Sequence, residues 1–222
     1  MDNDSKKSLL ASSTKASVVL GLFGLIAALL LGIVNLVTAD RIQEQQRVAE
    51  RRALAEVFPE YLHDNDLLLD TFTLAPEDPA FSQPELLQLS TSRQAYTGLL
   101  NGLFSGTILP VEAHDAYSGD ILIMVGVLAN GQISAVRVLA HKETPGLGDK
   151  IEATVSDWIL GFDGKSLLNP TQSRWKVIKD GGEFDQLVGA TITTRAVVDA
   201  VERALAFFQL NQNKLTNATN QF

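Results

Sequence analysis

Between Ala16 and Ala39 the chain is almost wholly apolar, interrupted only by Ser17, Asn35 and Thr38. No other stretch limits the fold so strongly. As a helix at about 1.5 Å per residue it rises roughly 36 Å. That crosses a hydrocarbon layer of about 30 Å with some tilt. The sequence therefore predicts a single transmembrane helix at 16–39, a short N-terminus at 1–15, and one water-exposed domain after it. A cleaved signal peptide is the alternative, because Val37-Thr38-Ala39 resembles a small-residue cleavage site. Signal h-regions are about 7 to 15 residues long, shorter than this run, so the expectation is an uncleaved anchor. Flanking charge leaves the orientation open: Lys6, Lys7 and Lys15 precede the run, and Arg41, Arg47, Arg51 and Arg52 follow it.

After the apolar run, 40–90 reads as a connecting region. Its first part, Asp40–Phe58, is rich in Arg, Glu, Gln and Ala and stops before Pro59, which suits a helix. Pro76, Pro79 and Pro84 then break any long element. The main domain is expected over 91–210, with a polar tail at 211–222. Ala95–Ile108, with Gly102 and Gly106, reads as a strand or hairpin. The clearest local signal is a β-hairpin: Ile121–Leu128 is strongly apolar, Asn130-Gly131 supplies the positive φ angles of a turn, and Ile133–Ala140 returns. The continuous apolar run suggests a central strand covered on both faces. Ile151–Phe162 then reads as a helix and Trp175–Lys179 as a strand, with Trp158 and Trp175 in the core. Asp180-Gly181-Gly182 is a turn. A last helix starts near Thr193 or Thr194, either of which can cap it. It carries Val197, Ala200, Val201, Ala204 and Phe208 on one face. Strands followed by helices in this order predict an α+β domain with an antiparallel sheet.

Composition removes several function classes. A net charge of -8 argues against nucleic acid as a partner. The absence of cysteine excludes disulfides, thiolate-ligated clusters and Cys-based zinc sites. His63, His114 and His141 lack metal-ligand spacing, so no metal is expected. No nucleophile paired with a base and no proton-abstracting dyad is visible, which suits a relay better than a substrate-converting site.

Three segments carry chemistry: Tyr117-Ser118-Gly119, His141-Lys142-Glu143-Thr144-Pro145-Gly146-Leu147-Gly148-Asp149-Lys150, and Asp185-Gln186-Leu187-Val188-Gly189-Ala190-Thr191. In this order the chain resembles the G subunit of the Rnf electron-transport complex. The last segment looks like the signal Asp-x-x-(Ser/Thr)-Gly-Ala-Thr of proteins that carry FMN covalently on threonine. The resemblance implies FMN joined by a phosphoester to Thr191. It also implies a single-pass protein of the bacterial inner membrane with its main domain on the periplasmic side. Partners would be the other subunits of the complex and, during maturation, a flavin transferase. The C subunit of the sodium-pumping NADH:quinone oxidoreductase shares the domain and the linkage, and Arg195-Ala196-Val197-Val198 favours the Rnf version. The reading from another class is a non-redox, membrane-tethered binding module.

Residue chemistry supports these expectations. Gly189 and Ala190 remove bulk beside Thr191, and the following helix offers its N–H groups and dipole to a phosphodiester. Asp185 opens the motif and is expected to serve transferase recognition. Glu143 to Gly148 reads as a rigid loop whose N–H groups and Thr144 contact the flavin, with Gly146, Leu147 and Gly148 in close approach. His141 either bonds the flavin or ends a strand. Tyr117 either packs on its ring or is an edge aromatic. Val188 stands where the family usually has Ser or Thr. It lacks a hydroxyl bond worth about 1 kcal/mol, so slower or weaker loading is expected.

Overall fold

The computed structural model describes residues 20–25, 29 and 51–218. The chain divides into two units, Met1–Glu50 and Arg51–Phe222. In the first, residues 20–25 and 29 are helical, with Leu20, Leu22, Phe23, Leu25 and Leu29 exposed. The rest of the 16–39 run, the 1–15 N-terminus and the 40–50 part of the following helix lie outside the described residues. Among the described residues no helix is long and apolar enough to cross a membrane.

The second unit is built on a five-stranded antiparallel meander: β1 (Thr71–Leu74), β2 (Arg93–Leu100), β3 (Leu103–Ala113), β4 (Ile121–Leu128) and β5 (Ile133–Ala140), in that spatial order. The expected strand or hairpin near 95–108 is the β2–β3 hairpin. Its turn is Asn101-Gly102, and both residues have positive φ, 54° and 74°. That is the backbone a two-residue hairpin turn needs to follow strand twist. The β4–β5 hairpin has the expected strands but a looser turn. Only Gly131 has positive φ, 83°. Asn130 instead accepts through Oδ1 from the Gln132 N–H at 3.0 Å, closing the turn with its side chain. The edge strand β1, whose Leu74 is fully buried, ends just before the prolines begin at Pro76.

Alternation along β4 explains why both faces of the sheet are covered. Ile121, Ile123, Val125 and Val127 point to one core, shared with the C-terminal helix Thr191–Ala218. Met124 points to a second core with Leu54, Val57, Phe58, Tyr96 and Ile108, packed under the 51–57 helix. This matches the double coverage read from the continuous apolar run, although β3 rather than β4 holds the middle position. On the C-terminal helix Val197, Ala200, Val201 and Ala204 are fully buried and Phe208 nearly so, as their spacing predicts. The helix runs on into the segment read as a polar tail, with Asn211 and Leu215 buried.

Three expectations fail between β5 and that helix. Ile151–Phe162 is not an α-helix. Ile151 ends one 3₁₀ turn, Gly148–Ile151, and Asp157–Phe162 forms another. Ser156 sits between them; its hydroxyl donates to the Lys150 carbonyl at 2.5 Å and accepts from the Trp158 N–H at 3.3 Å. A side chain bonding the backbone this way competes with a helical ladder. Trp175–Lys179 is not a strand. Val177 makes one parallel bridge to Phe184, and the chain then closes through the 3₁₀ turn Ile178–Asp180 and Gly181 at φ 84°. Finally, the last helix starts at Thr191, and neither Thr193 nor Thr194 caps it. The Thr194 hydroxyl donates back to the carbonyls of Ala190 and Thr191. The Thr193 hydroxyl is committed elsewhere, as described below. Trp175 is fully buried, and Trp158 packs at the margin of the core.

Candidate functional site

Sheet register gathers the three motif segments. Ala113 at the end of β3 pairs with Ile121 at the start of β4, and Leu122 pairs with Ala140 at the end of β5. The 114–120 loop and the 141–148 loop therefore leave the same end of the sheet. The C-terminal helix begins there too. Between these parts lies an open cavity of about 540 Å³ lined by Tyr117, Glu143, Thr144, Leu147, Gly148, Gly189, Ala190, Thr191, Ile192 and Thr193. Cofactor pockets span roughly 300–1,000 Å³. A cavity of similar size, about 530 Å³, lies under the 51–57 helix beside His63, Asp64 and Asp66, and holds none of the motif residues.

Glu143 is the hub of this site. It is 5% exposed. Its Oε1 accepts from the Ser118 N–H at 2.8 Å and its Oε2 from the Thr193 hydroxyl at 2.6 Å. One carboxylate thus ties the first two segments to the helix that follows the third. A Cβ on Gly148 would stand 2.7 Å from that Oε2 and 2.8 Å from the Glu143 Cβ, so only glycine leaves room for the hub. The loop is closed by the Leu147 and Gly148 N–H groups, which donate to the Thr144 carbonyl at 3.2 and 3.0 Å. Gly146 reverses the chain at φ 80°.

Across the cavity, Gly189 has φ 84°, and a Cβ there would meet the Leu147 side chain at 3.0 Å. The Ala190 N–H donates to the Leu187 carbonyl, and the Thr194 N–H makes the first helical return bond, to Ala190. The N–H groups at the start of a helix have no helical acceptor, and here the first three helical residues, Thr191, Ile192 and Thr193, line the cavity. Thr191 is half-buried at that point, and among the described residues its hydroxyl has no hydrogen-bond partner. At the cavity wall the hydroxyls of Tyr117, Thr144 and Thr191 have no hydrogen-bond partner among the described residues; of these only that of Thr191 stands at the helix start, where those of Thr193 and Thr194 are taken.

Of the residues named from sequence, Tyr117, Glu143, Thr144, Leu147, Gly148, Gly189, Ala190 and Thr191 line the cavity. His141, Gly146 and Asp185 do not. His141 Nε2 lies 2.5 Å from Glu152 Oε1, and its Nδ1 accepts from the Glu143 N–H at 3.0 Å, so it braces the hub from behind. The exposed Asp185 has its carbonyl held by the Trp158 indole N–H at 2.7 Å. Val188 is 88% exposed and faces solvent rather than the cavity. Ile192 and Thr193 also line the wall, and sequence reasoning misses both. A threonine able to reach a buried glutamate is the only signal for Thr193, and helix capping explains it equally well. Among the described residues no group of three or more acidic or histidine side chains is placed to hold a metal ion.

Residues 116–206 match the family described as FMN-binding domain, a span that contains every residue of the cavity. Residues 4–57 match the RnfG N-terminal region. Fold, cavity and match together define a flavin-binding α+β domain. Over 215 residues the chain is 46% identical to the G subunit of the ion-translocating oxidoreductase complex of Pseudomonas aeruginosa, covering 97% of this chain and 95% of that one. It is 41% identical over 207 residues to the protein of the same name from Aliivibrio fischeri, covering 93% and 95%. The Shewanella loihica counterpart is 40% identical over 206 residues, covering 93% and 94%. The chain belongs to this family of G subunits. The crystal structure of Shewanella oneidensis NqrC aligns with a TM-score of 0.46 and 23% identity over 68% of this chain and 74% of that one, too remote to carry an argument.

Proposed function

We propose that this chain is the membrane-anchored electron-transfer subunit of an ion-translocating oxidoreductase complex, carrying FMN as a phosphoester on the Thr191 side-chain oxygen. The observation that supports this best is the uncommitted Thr191 hydroxyl in a cavity where three separate segments meet. The residues fit the group. Open N–H groups at the helix start suit a phosphate, and Tyr117, Leu147 and Ile192 offer apolar surface for a ring system. When bound, the flavin supplies the redox chemistry, and the protein supplies position and electrostatics. Nothing in the cavity resembles a substrate-converting centre, so the chain acts as a redox subunit with no independent reaction of its own.

The remaining assignments belong to the same proposal. Residues 16–39 anchor the chain in the inner membrane after a short N-terminus at 1–15. Residues 40–90 connect to the FMN-binding domain at 91–210, and the 211–222 segment follows it. That domain lies on the periplasmic side. Partners are the other subunits of the complex and a flavin transferase, which meets Asp185 and Val188 on the exposed side of the motif.

Co-expression with a flavin transferase followed by acid denaturation tests the linkage. Flavin fluorescence should migrate with the polypeptide, Thr191→Ala should abolish it, and peptide mapping should place the flavin mass on Thr191. A mass on Thr193 or Thr194 would overturn the assignment. Wild-type protein without flavin would leave a membrane-tethered binding module as the better reading. Mass spectrometry of the membrane-extracted chain should find Lys6 and Lys7 still attached; a mature N-terminus at Asp40 would sink the anchor. A periplasmic reporter fused after Phe222 should be active.

A further inference from the structure

We propose that the Glu143 carboxylate is a fixed negative charge in the cavity wall that lowers the reduction potential of the bound flavin, and that the Thr193 hydroxyl sets how strongly it acts. This rests on the reading of the cavity as the flavin site. Glu143 is 5% exposed and lines the cavity, so water screens its charge poorly. Both of its hydrogen-bond partners are neutral donors, the Ser118 N–H and the Thr193 hydroxyl. They orient the charge without cancelling it.

A purely structural clamp gives an incomplete account of this residue. Glutamine in the same position would hold the same two partners. Its amide oxygen would accept from Ser118, and its amide nitrogen would donate to the Thr193 oxygen, whose own hydrogen is free to rotate. A buried carboxylate is far costlier to desolvate than that amide. The clamp needs the shape and leaves the charge unexplained. The charge acts on anything in the cavity that changes its own. An oxidised flavin ring that takes up two electrons and one proton gains one negative charge. A neighbouring carboxylate opposes that gain and favours the oxidised form. Glu143 is thus a positioning residue through its bonds and an electrostatic one through its charge.

The full-length, detergent-solubilised protein is loaded by a co-expressed flavin transferase and titrated with dithionite at pH 8 beside a reference dye, following flavin absorbance. Glu143→Gln should load flavin and melt near the wild-type temperature. At a fixed solution potential its reduced-to-oxidised ratio should rise on the order of tenfold. Thr193→Val keeps the charge and removes its hydroxyl donor, so its ratio should fall below wild type. Opposite shifts support the proposal. Shifts in the same direction, or none in either variant, overturn it. If Glu143→Gln does not fold or load, Thr193→Val decides alone, and an unchanged or raised ratio there is fatal. Wild-type protein that takes up no flavin removes the cavity reading and this inference with it. Loaded wild-type protein with unshifted variants overturns the inference alone.

Discussion

The β4–β5 hairpin and the 141–190 tract follow each other in the chain, yet they are held in opposite ways. The hairpin is a ladder of paired strands whose alternate side chains enter two cores. The tract holds four short 3₁₀ turns and isolated bridges. Its order comes from an aromatic cluster and from side chains that grip the backbone. Trp175 is fully buried, with ring centroids of Phe162 at 6.2 Å and Phe184 at 4.7 Å. Its indole N–H donates to the Ser166 carbonyl, as that of Trp158 does to Asp185. The regular element carries no chemistry of its own. The irregular one supplies most of the cavity wall, because only non-repeating backbone turns Thr144, Gly148 and Gly189 towards one space.

The largest way to break this contrast is Trp175→Ala. Removing a buried tryptophan should cost about 3–5 kcal/mol by urea denaturation. Hydrogen exchange should show 141–190 losing protection while the β4–β5 amides keep it. Equal loss in both would make them a single cooperative unit and erase the distinction. Next comes Gly148→Val, whose branched side chain collides with Glu143. A cost of about 1–3 kcal/mol is expected, with flavin loading impaired and the far-ultraviolet circular dichroism of the sheet unchanged. Normal loading would reduce the loop to an ordinary turn.

A smaller effect sits in the 114–120 loop, which leads into the β4–β5 hairpin. His114 follows β3, with Nδ1 2.8 Å from Asp120 Oδ1 and Nε2 2.7 Å from the Gln88 carbonyl oxygen. The hydrogen bond to Asp120 raises its pKa; burial opposes this, and the bond to Gln88 and the charges of Asp120 and Glu112 reinforce it. A histidine with a raised folded pKa adds stability that is complete below its unfolded pKa of about 6.5 and is lost as pH climbs through the folded value. Stability should therefore decline gently from pH 6 to pH 8, and His114→Asn should flatten that part of the curve. An unchanged slope would show that the pair adds no stability to this loop. The smallest effect is Val188→Thr. At an exposed position it should leave stability within about 0.5 kcal/mol, while single-turnover loading by the transferase becomes faster. An unchanged rate would show that the valine is no handicap.

The same contrast explains what the sequence discloses. Ile121–Leu128 and Ile133–Ala140 are legible because strand, turn and double burial all write a local pattern. Gly189, Ala190 and Thr191 are legible as part of the cavity wall because their spacing matches a known signal and because small residues have few other reasons to cluster there. Ile151–Phe162 misleads because its apolar spacing suits a helix, and nothing local shows that Ser156 bonds the Lys150 carbonyl. Trp175–Lys179 misleads because β-branched and aromatic residues also serve a cluster without any ladder. Thr193 reads as a cap because its partner, Glu143, lies far away in sequence.

One helix links the two regions. Its first turn forms part of the cavity wall, and Val197, Val198, Val201 and Phe207 are sealed against the sheet further along its 28 residues. A wall fastened in this way cannot recoil when the charge beside it changes. Dipoles that are already aimed and cannot relax demand no rearrangement at the moment a charge moves. For a carrier, that is inertia put to use: electrons can arrive and depart while the surrounding atoms stay where they were.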